Sequence, residues 1–255
     1  MAFNARKIIA TTLILFSAST VLPNASYALD EKQKQEIGDF IKEYLVANPE
    51  ILLEAQKALK QKQADEQLAQ AQAAITKNDN DIFQSPYDVT LGNPNGDVTI
   101  VEFYDYNCGY CKRALSDMET ILKNDKNVRF VLKELPILGP DSMAAHKVST
   151  AFRAIAPEKY GEFHRTLLGG EDRANEETAM AVATKLGVSE ADLRKKMAEN
   201  TQDDAVKLVY TLANDLGITG TPSYIVGKEA VYGAVGAEEI ENKVTNVRTC
   251  GKTVC

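Results

Sequence analysis

The sequence of 255 residues predicts an α/β domain behind a helical arm, and three observations carry that prediction. The segment Val98–Tyr106 is rich in β-branched and aromatic residues and apolar on both faces, as a buried central strand would be. A helix over Cys108–Leu122 and a strand over Val128–Leu132 follow it, which makes a strand–helix–strand crossover. A long helical stretch from Asp141 to Leu216 then precedes two further strands and a terminal helix. The order is βαβ, a block of helices, then ββα, with no internal repeat.

The chain opens on a basic tip, Arg6 and Lys7, followed by an apolar run from Ile8 to about Leu22 and by Ser26-Tyr27-Ala28. This is the three-part pattern of a secretory signal, with cleavage expected after Ala28. An uncleaved anchor helix is disfavoured because the run is short of the roughly 20 residues a membrane span needs. No cysteine near the cleavage site suggests lipid modification. Loss of Arg6 and Lys7 takes the formal charge from −7 to −9. Scattered charge of that sign argues against nucleic acid as a partner. The expected location is the periplasm, where disulfides persist.

Residues 29–77 read as a helical stalk rich in Ala, Gln, Lys and Glu, which are good helix formers. Ile37, Ile41, Tyr44 and Leu45 keep helical spacing, and Asn48-Pro49 marks a restart, with Asn as cap and Pro at the first helical position. The second helix runs from Pro49 to about Ile75. Its seam, Leu52, Ala55, Leu59, Lys62, Glu66, Ala69 and Ala73, has heptad spacing but poor apolar content. It is expected to bury little against its own domain and to serve as an oligomerisation arm; an exposed helix without a partner is the other reading. Residues 78–255 form the domain, entered through a linker over Asn78–Pro94.

Within the domain, the helix after Cys108 shows an inner stripe of Leu115, Met118, Ile121 and Leu122. The block at about 141–216 divides at Pro157, Gly169-Gly170, Gly187 and Gly217. Ser189 and Asp192 are spaced as a capping box. Ile218–Val226 and Ala230–Tyr232 are strands around a Gly227-Lys228 turn, and Ala237–Val247 is the last helix.

Four cysteines fall into two close pairs, Cys108 with Cys111 and Cys250 with Cys255. The first pair lies where a strand gives way to a helix. Free N–H groups and the helix dipole stabilise a thiolate there, so the pKa of Cys108 should fall below its free value. Cys111, three residues on, lies one turn away and within reach. That spacing supports exchange through a mixed disulfide. Half a zinc site is a second reading, with Cys250 and Cys255 as the other half. A purely structural Cys108–Cys111 bridge is a third, disfavoured because so small a ring constrains little chain entropy. Thr221-Pro222 opens a strand, where a proline is tolerated. For the terminal pair, a short structural disulfide and a relay to the first pair are the two readings, and Gly251 permits the tight loop both need.

Glu102-Phe103-Tyr104-Asp105-Tyr106-Asn107-Cys108-Gly109-Tyr110-Cys111-Lys112, the helical insertion and Gly220-Thr221-Pro222 together resemble the DsbA family of thioredoxin-fold proteins. With the arm included, the chain is most similar to the ScsC-type branch, which has an oligomerisation stalk and includes disulfide isomerases. The resemblance covers about Asp88 to Val247. It implies a thioredoxin fold with an inserted helical domain and no cofactor or metal. It implies an exposed nucleophile, Cys108, a buried partner, Cys111, and a cis-proline loop at Thr221-Pro222. It places Glu102 where the family has a buried acid under the cysteines, able to serve Cys111; Lys133, on the next strand, is its expected partner. The central dipeptide here is Gly109-Tyr110, where the strongest oxidants have proline and histidine, so a milder poise suited to disulfide shuffling is expected. The expected activity is a protein disulfide isomerase acting on misfolded exported proteins, recycled by a membrane redox partner. The alternatives are a dithiol oxidase and, in another class, a periplasmic or outer-membrane-associated chaperone.

Overall fold

The computed structural model describes residues 29–199 and 203–255. The signal segment and its cleavage site lie outside the described residues. The described residues divide into two units, with the boundary between Lys57 and Ala58.

In the first unit, helix α1 (Glu31–Ala47) starts at Asp30, whose side chain accepts from the Gln33 N–H while the Gln33 side chain accepts from the Asp30 N–H. This reciprocal cap satisfies two donors that the first turn leaves free. The helix buries none of its residues: Ile37, Phe40, Ile41 and Tyr44 are all exposed. Helix α2 (Glu50–Lys77) begins in this unit, with Leu52 and Leu53 exposed.

The second unit is built on a five-stranded sheet. Its strands are β1 (Val89–Gly92), β2 (Val98–Tyr104), β3 (Val128–Glu134), β4 (Ser223–Val226) and β5 (Glu229–Tyr232), in the order β1-β3-β2-β4-β5. β2 and β3 are parallel, as their helical crossover α4 (Gly109–Asn124) demands, and the other pairings are antiparallel. β2 is central and buried on both faces, which explains why it shows no polar alternation. The tight β4–β5 turn uses Gly227 at φ 59°.

One face of the sheet carries Ile100, Tyr104, Phe130 and Leu132. It packs against Met118 and Ile121 of α4 and against Ile240 and Val244 of α10 (Ala237–Cys250). The helical insertion joins this core through α5 (Pro140–Ile155), α6 (Tyr160–Gly169), α7 (Glu176–Lys185) and α8 (Glu190–Glu199). Ser189 caps α8, accepting from the Asp192 N–H. The opposite face, with Val101, Phe103 and Val131, is covered by α9 (Asp203–Asp215) and by the end of α2.

That last contact corrects two expectations. The second arm helix buries Ala71, Ala74 and Ile75, spaced at i, i+3 and i+4, while the heptad positions Leu52 and Leu59 stay exposed. A sparse seam concealed a short apolar face at the helix end, where Ile75 is fully buried. The span taken as a linker also carries structure. Helix α3 (Asp79–Phe83) buries Ile82, and β1 pairs with β3 from Val89↔Leu132 to Gly92↔Arg129. Four residues of edge strand flanked by Pro and Asn gave too short a pattern to read. Ile82 of α3 joins the cover over Phe103 and Val131 on the second face, where burial is worth about 1.5–3 kcal/mol for each such side chain, while Val89 and Leu91 of β1 pack against the first-face core.

Candidate active site at the start of helix α4

Helix α4 is capped by Cys108, which has extended backbone angles and whose sulfur accepts from the Cys111 N–H at 3.4 Å. A cap needs an acceptor at this position, and sulfur supplies it where Ser or Asp is usual. The preceding turn is set by Asp105: its carbonyl accepts from the Cys108 N–H at 3.0 Å, and its carboxylate accepts from the Asn107 N–H at 2.8 Å. The sulfur thus sits at the positive end of a helix of 16 residues.

Cys108 and Cys111 are both free thiols and both buried, Cys108 at 6% exposure and Cys111 at 0%. Cys108 is therefore far less open than the exposed nucleophile expected, though of the pair it is the residue that keeps some accessible surface. The Cys108 S–H donates to the Thr221 carbonyl at 3.0 Å. The Thr221-Pro222 peptide bond is cis. Hydrogen bonding from the Cys111 thiol brings the pKa of Cys108 down to about 5 against the cost of burial, with the N–H groups of Cys111 and Tyr110 adding to the effect. The same hydrogen bond, joined by burial, pushes Cys111 far above an ordinary thiol. One proton and one charge are thus unequally shared by two sulfurs three residues apart.

Glu102 lies in the middle of β2, between Leu132 of β3 and Tyr224 of β4, and is 2% exposed. Burial pushes its pKa up to about 8, and the charges of Asp117 and Cys108 push the same way. Its Oε1 has no hydrogen-bond partner. The expected partner Lys133 is not there. The parallel register sets Lys133 beside Phe103, on the opposite face from Glu102, where it pairs with the Asp88 carboxylate and donates to the Asp81 carbonyl at 2.7 Å. Adjacent strand residues point to opposite faces, so this separation follows from the register alone.

An open depression of about 450 Å³ adjoins the pair and is lined by Tyr110, Thr219, Thr221, Pro222, Tyr232 and Ala234 among others. Tyr110 is exposed, with the Arg113 guanidinium 4.3 Å above its ring. Gln67 of α2 also reaches this wall, donating to the Gly217 carbonyl at 3.0 Å. The sequence reading missed that contribution, since only the buried end of α2 brings Gln67 there.

Cys250 and Cys255 are joined to each other by a disulfide and are exposed. Gly251, at φ 76°, ends α10 in the left-handed conformation that starts the loop. Arg248, one turn earlier, pairs with Asp97 before β2 and with Asp125 after α4. The terminal pair therefore sits at the opposite end of β2 from Cys108, roughly 20 Å away for a seven-residue strand. Direct exchange between the two pairs of one domain has no geometry. Nor are these sulfurs free to complete a zinc site with Cys108 and Cys111. Among the described residues, no three His, Cys, Asp or Glu side chains group to hold a metal ion.

Residues 99–245 match the model of the DSBA-like thioredoxin domain, and residues 33–66 match that of the copper resistance protein ScsC N-terminal domain. A thioredoxin-like oxidoreductase from Silicibacter pomeroyi is 37% identical, over 67% of this chain and 98% of its own, with a TM-score of 0.63. The thiol-disulfide exchange protein α-DsbA2 from Wolbachia pipientis is 28% identical, over 69% and 95%, with a TM-score of 0.65. ScsC from Proteus mirabilis in a transitional conformation is 27% identical, over 86% and 96%, with a TM-score of 0.59. Among curated proteins the chain matches two Salinispora Na(+)/H(+) antiporters, NhaA 3 and NhaA 1, at 24% identity, and spans about a quarter of their length. The sheet, the helical insertion and the match over 99–245 lead to one statement of kinship: the chain belongs to the DsbA-like thioredoxin family of thiol–disulfide exchange proteins.

Proposed function

We propose that this protein is a disulfide isomerase for exported proteins, with Cys108 as nucleophile and Cys111 as resolving thiol. The observation that carries the reading is the placement of the two sulfurs: Cys108 caps α4 and accepts from the Cys111 N–H at 3.4 Å, with Cys111 buried one turn behind it. The Cys108 thiolate attacks one sulfur of a wrong substrate disulfide. That S–S bond breaks, a mixed disulfide forms, and the electron pair leaves on the second substrate sulfur. The released thiolate attacks elsewhere in the substrate and finally displaces Cys108, so that no net oxidation occurs. If the substrate stalls, the Cys111 sulfur attacks Cys108: the mixed disulfide breaks, the substrate leaves reduced as its thiolate, the Cys108–Cys111 disulfide forms, and Cys111 gives up its proton. Glu102, with a pKa about 8, is the carboxyl suited to take it. The Thr221 carbonyl accepts from Cys108 only while the thiol is protonated; once the thiolate forms it is left free as the acceptor for a substrate backbone N–H.

The exposed apolar residues Ile37, Phe40, Ile41, Tyr44, Leu52 and Leu59 support an arm that associates with its own copies. The match of residues 33–66 to the ScsC N-terminal domain supports the same assignment. Export, removal of residues 1–28, a periplasmic site of action and a membrane redox partner complete the proposal.

The low pKa of Cys108 favours a second reading, a dithiol oxidase. A stabilised thiolate stabilises the reduced form and makes the disulfide more oxidising. The mature chain incubated with a scrambled-disulfide protein in glutathione buffer separates the two. Recovery of substrate activity supports the isomerase. Rapid oxidation of a reduced substrate without such recovery replaces it with the oxidase. A Cys108→Ala variant that still protects a substrate from aggregation as well as the parent does would move the protein to the chaperone class.

A further inference from the structure

The loop from Tyr104 to Cys108 is fastened to the helical insertion by side chains that no step of the exchange uses. Asp105 is fully buried, and its carboxylate accepts from three donors. Oδ1 takes the Asn107 N–H and the Ser142 hydroxyl, each at 2.8 Å, and Oδ2 takes the Leu138 N–H at 2.9 Å. Asn107, immediately before Cys108, clasps Ala174 from both sides. Its Nδ2 donates to the Ala174 carbonyl at 2.8 Å and its Oδ1 accepts from the Ala174 N–H at 2.8 Å. Nδ2 also donates to Ser142 Oγ at 2.9 Å. On the far side of the pair, the Lys112 ammonium donates to the Gly170 carbonyl at 2.6 Å. The segment Gly170–Ala174 is thus tied to the chain on both flanks of Cys108-Gly109-Tyr110-Cys111.

We propose that Asn107 is a positioning residue for Cys108, which uses the Gly170–Ala174 segment as a fixed abutment and relies on Asp105 and Ser142 to hold the turn. This deepens the assignment of Cys108 as nucleophile and rests on it. The physical argument is one of geometry. A sulfur gains from backbone N–H donors only while distance and angle persist, and hydrogen bonds weaken steeply off axis. Cys108 receives its backbone help from Cys111 and Tyr110, inside α4. Its own backbone therefore has to be held relative to that helix. Asn107 does this with three hydrogen bonds formed one residue before the sulfur. Ala174 is 1% exposed and Ser142 1% exposed, so removing the amide leaves buried partner groups short of a hydrogen bond.

The test reads Cys108 directly, by its alkylation rate against pH in the reduced, mature full chain. Asn107→Ala is expected to raise the midpoint by about one unit and to slow alkylation about fivefold at pH 5, where the parent is half ionised. Ser142→Ala, which removes one hydroxyl from the same cluster, is expected to move it the same way by less. It keeps the test open if Asn107→Ala does not fold. Glu102, whose charge is coupled to Cys108 from the strand below, and its neighbour Asp117 are unchanged in both variants. Val244→Ala, in the core of α10, serves as the comparison: it should lower Tm and leave the midpoint in place. An unmoved midpoint in the Asn107 and Ser142 variants, with only Tm reduced, would make the clasp merely structural and overturn the proposal. So would a parent midpoint at the ordinary thiol value, since nothing would then be positioned. Exchange with oxidised glutathione, followed in the same samples, tests the nucleophile assignment separately. A shifted midpoint without any exchange in the parent would uphold the clasp and sink the enzyme reading.

Discussion

The two cysteine pairs of this chain differ in every property that governs sulfur chemistry. Cys108 and Cys111 stand at a helix N-terminus, with two residues between them, buried and reduced. Cys250 and Cys255 stand at a helix C-terminus, with four residues between them, exposed and bonded. The first environment directs N–H groups at a sulfur and favours the thiolate. The second presents carbonyls and the negative end of the dipole, which disfavour it. The terminal disulfide also has mechanical work to do. It closes a loop in which Thr253 is buried, hydrogen-bonds to Glu229 on the edge strand β5, and offers its carbonyl to Asn246. Reactivity is therefore set by which end of a helix holds the sulfur and by what surrounds it, and little by cysteine spacing alone.

The hardest way to break this comparison is to remove the nucleophile. Cys108→Ala should reduce exchange with a disulfide substrate at least about a thousandfold while the chain stays folded; retention of exchange would hand the chemistry to the terminal pair.

Glu102 gives the next largest effect, and its sign is fixed by linkage. Its folded pKa of about 8 lies above the unfolded value of 4.5, so the folded state holds the extra proton between those limits. Stability falls as pH rises through that window, by about 5 kcal/mol in total, and is unaffected below it. Denaturant titrations of Glu102→Gln at pH 4 and pH 8 should show the variant gaining on the parent only at pH 8.

His164 probes whether any histidine serves Cys108. It is 1% exposed, packs edge-on to Tyr104 at 4.6 Å, and burial holds its pKa down to about 3. Because the folded pKa is below the unfolded one, stability is lost as pH falls from about 6.5 toward 3. His164→Phe should flatten that acid limb in a Tm series and leave the Cys108 alkylation midpoint in place. A raised midpoint would mean that an imidazole contributes to the thiolate after all.

The smallest effect belongs to the tail. Opening its ring with Cys250→Ala and Cys255→Ala together should cost about 2 kcal/mol of stability, the entropy of so short a loop, and change exchange less than twofold. Loss of exchange in that variant would show that the two pairs cooperate between copies of the chain.

Much of this was legible in the sequence because the signals are local. The apolar run at β2, the turn residues that divide the insertion, the Ser189 cap, and a C-x-x-C at a strand–helix junction each report on a few neighbouring residues. The sequence by itself therefore determined the order of elements, the helix end on which Cys108 sits and the pairing of the cysteines by proximity. Tertiary structure alone decided the rest. Register sends Lys133 to Asp88 and leaves Glu102 unpartnered. A face one turn wide at the end of α2 brings Ile75 into the core and Gln67 to the depression beside Thr221. The clasp of Asn107 on Ala174 joins residues 67 positions apart. Contacts of that kind depend on which faces meet after the sheet has formed, and periodicity along the chain carries no information about them.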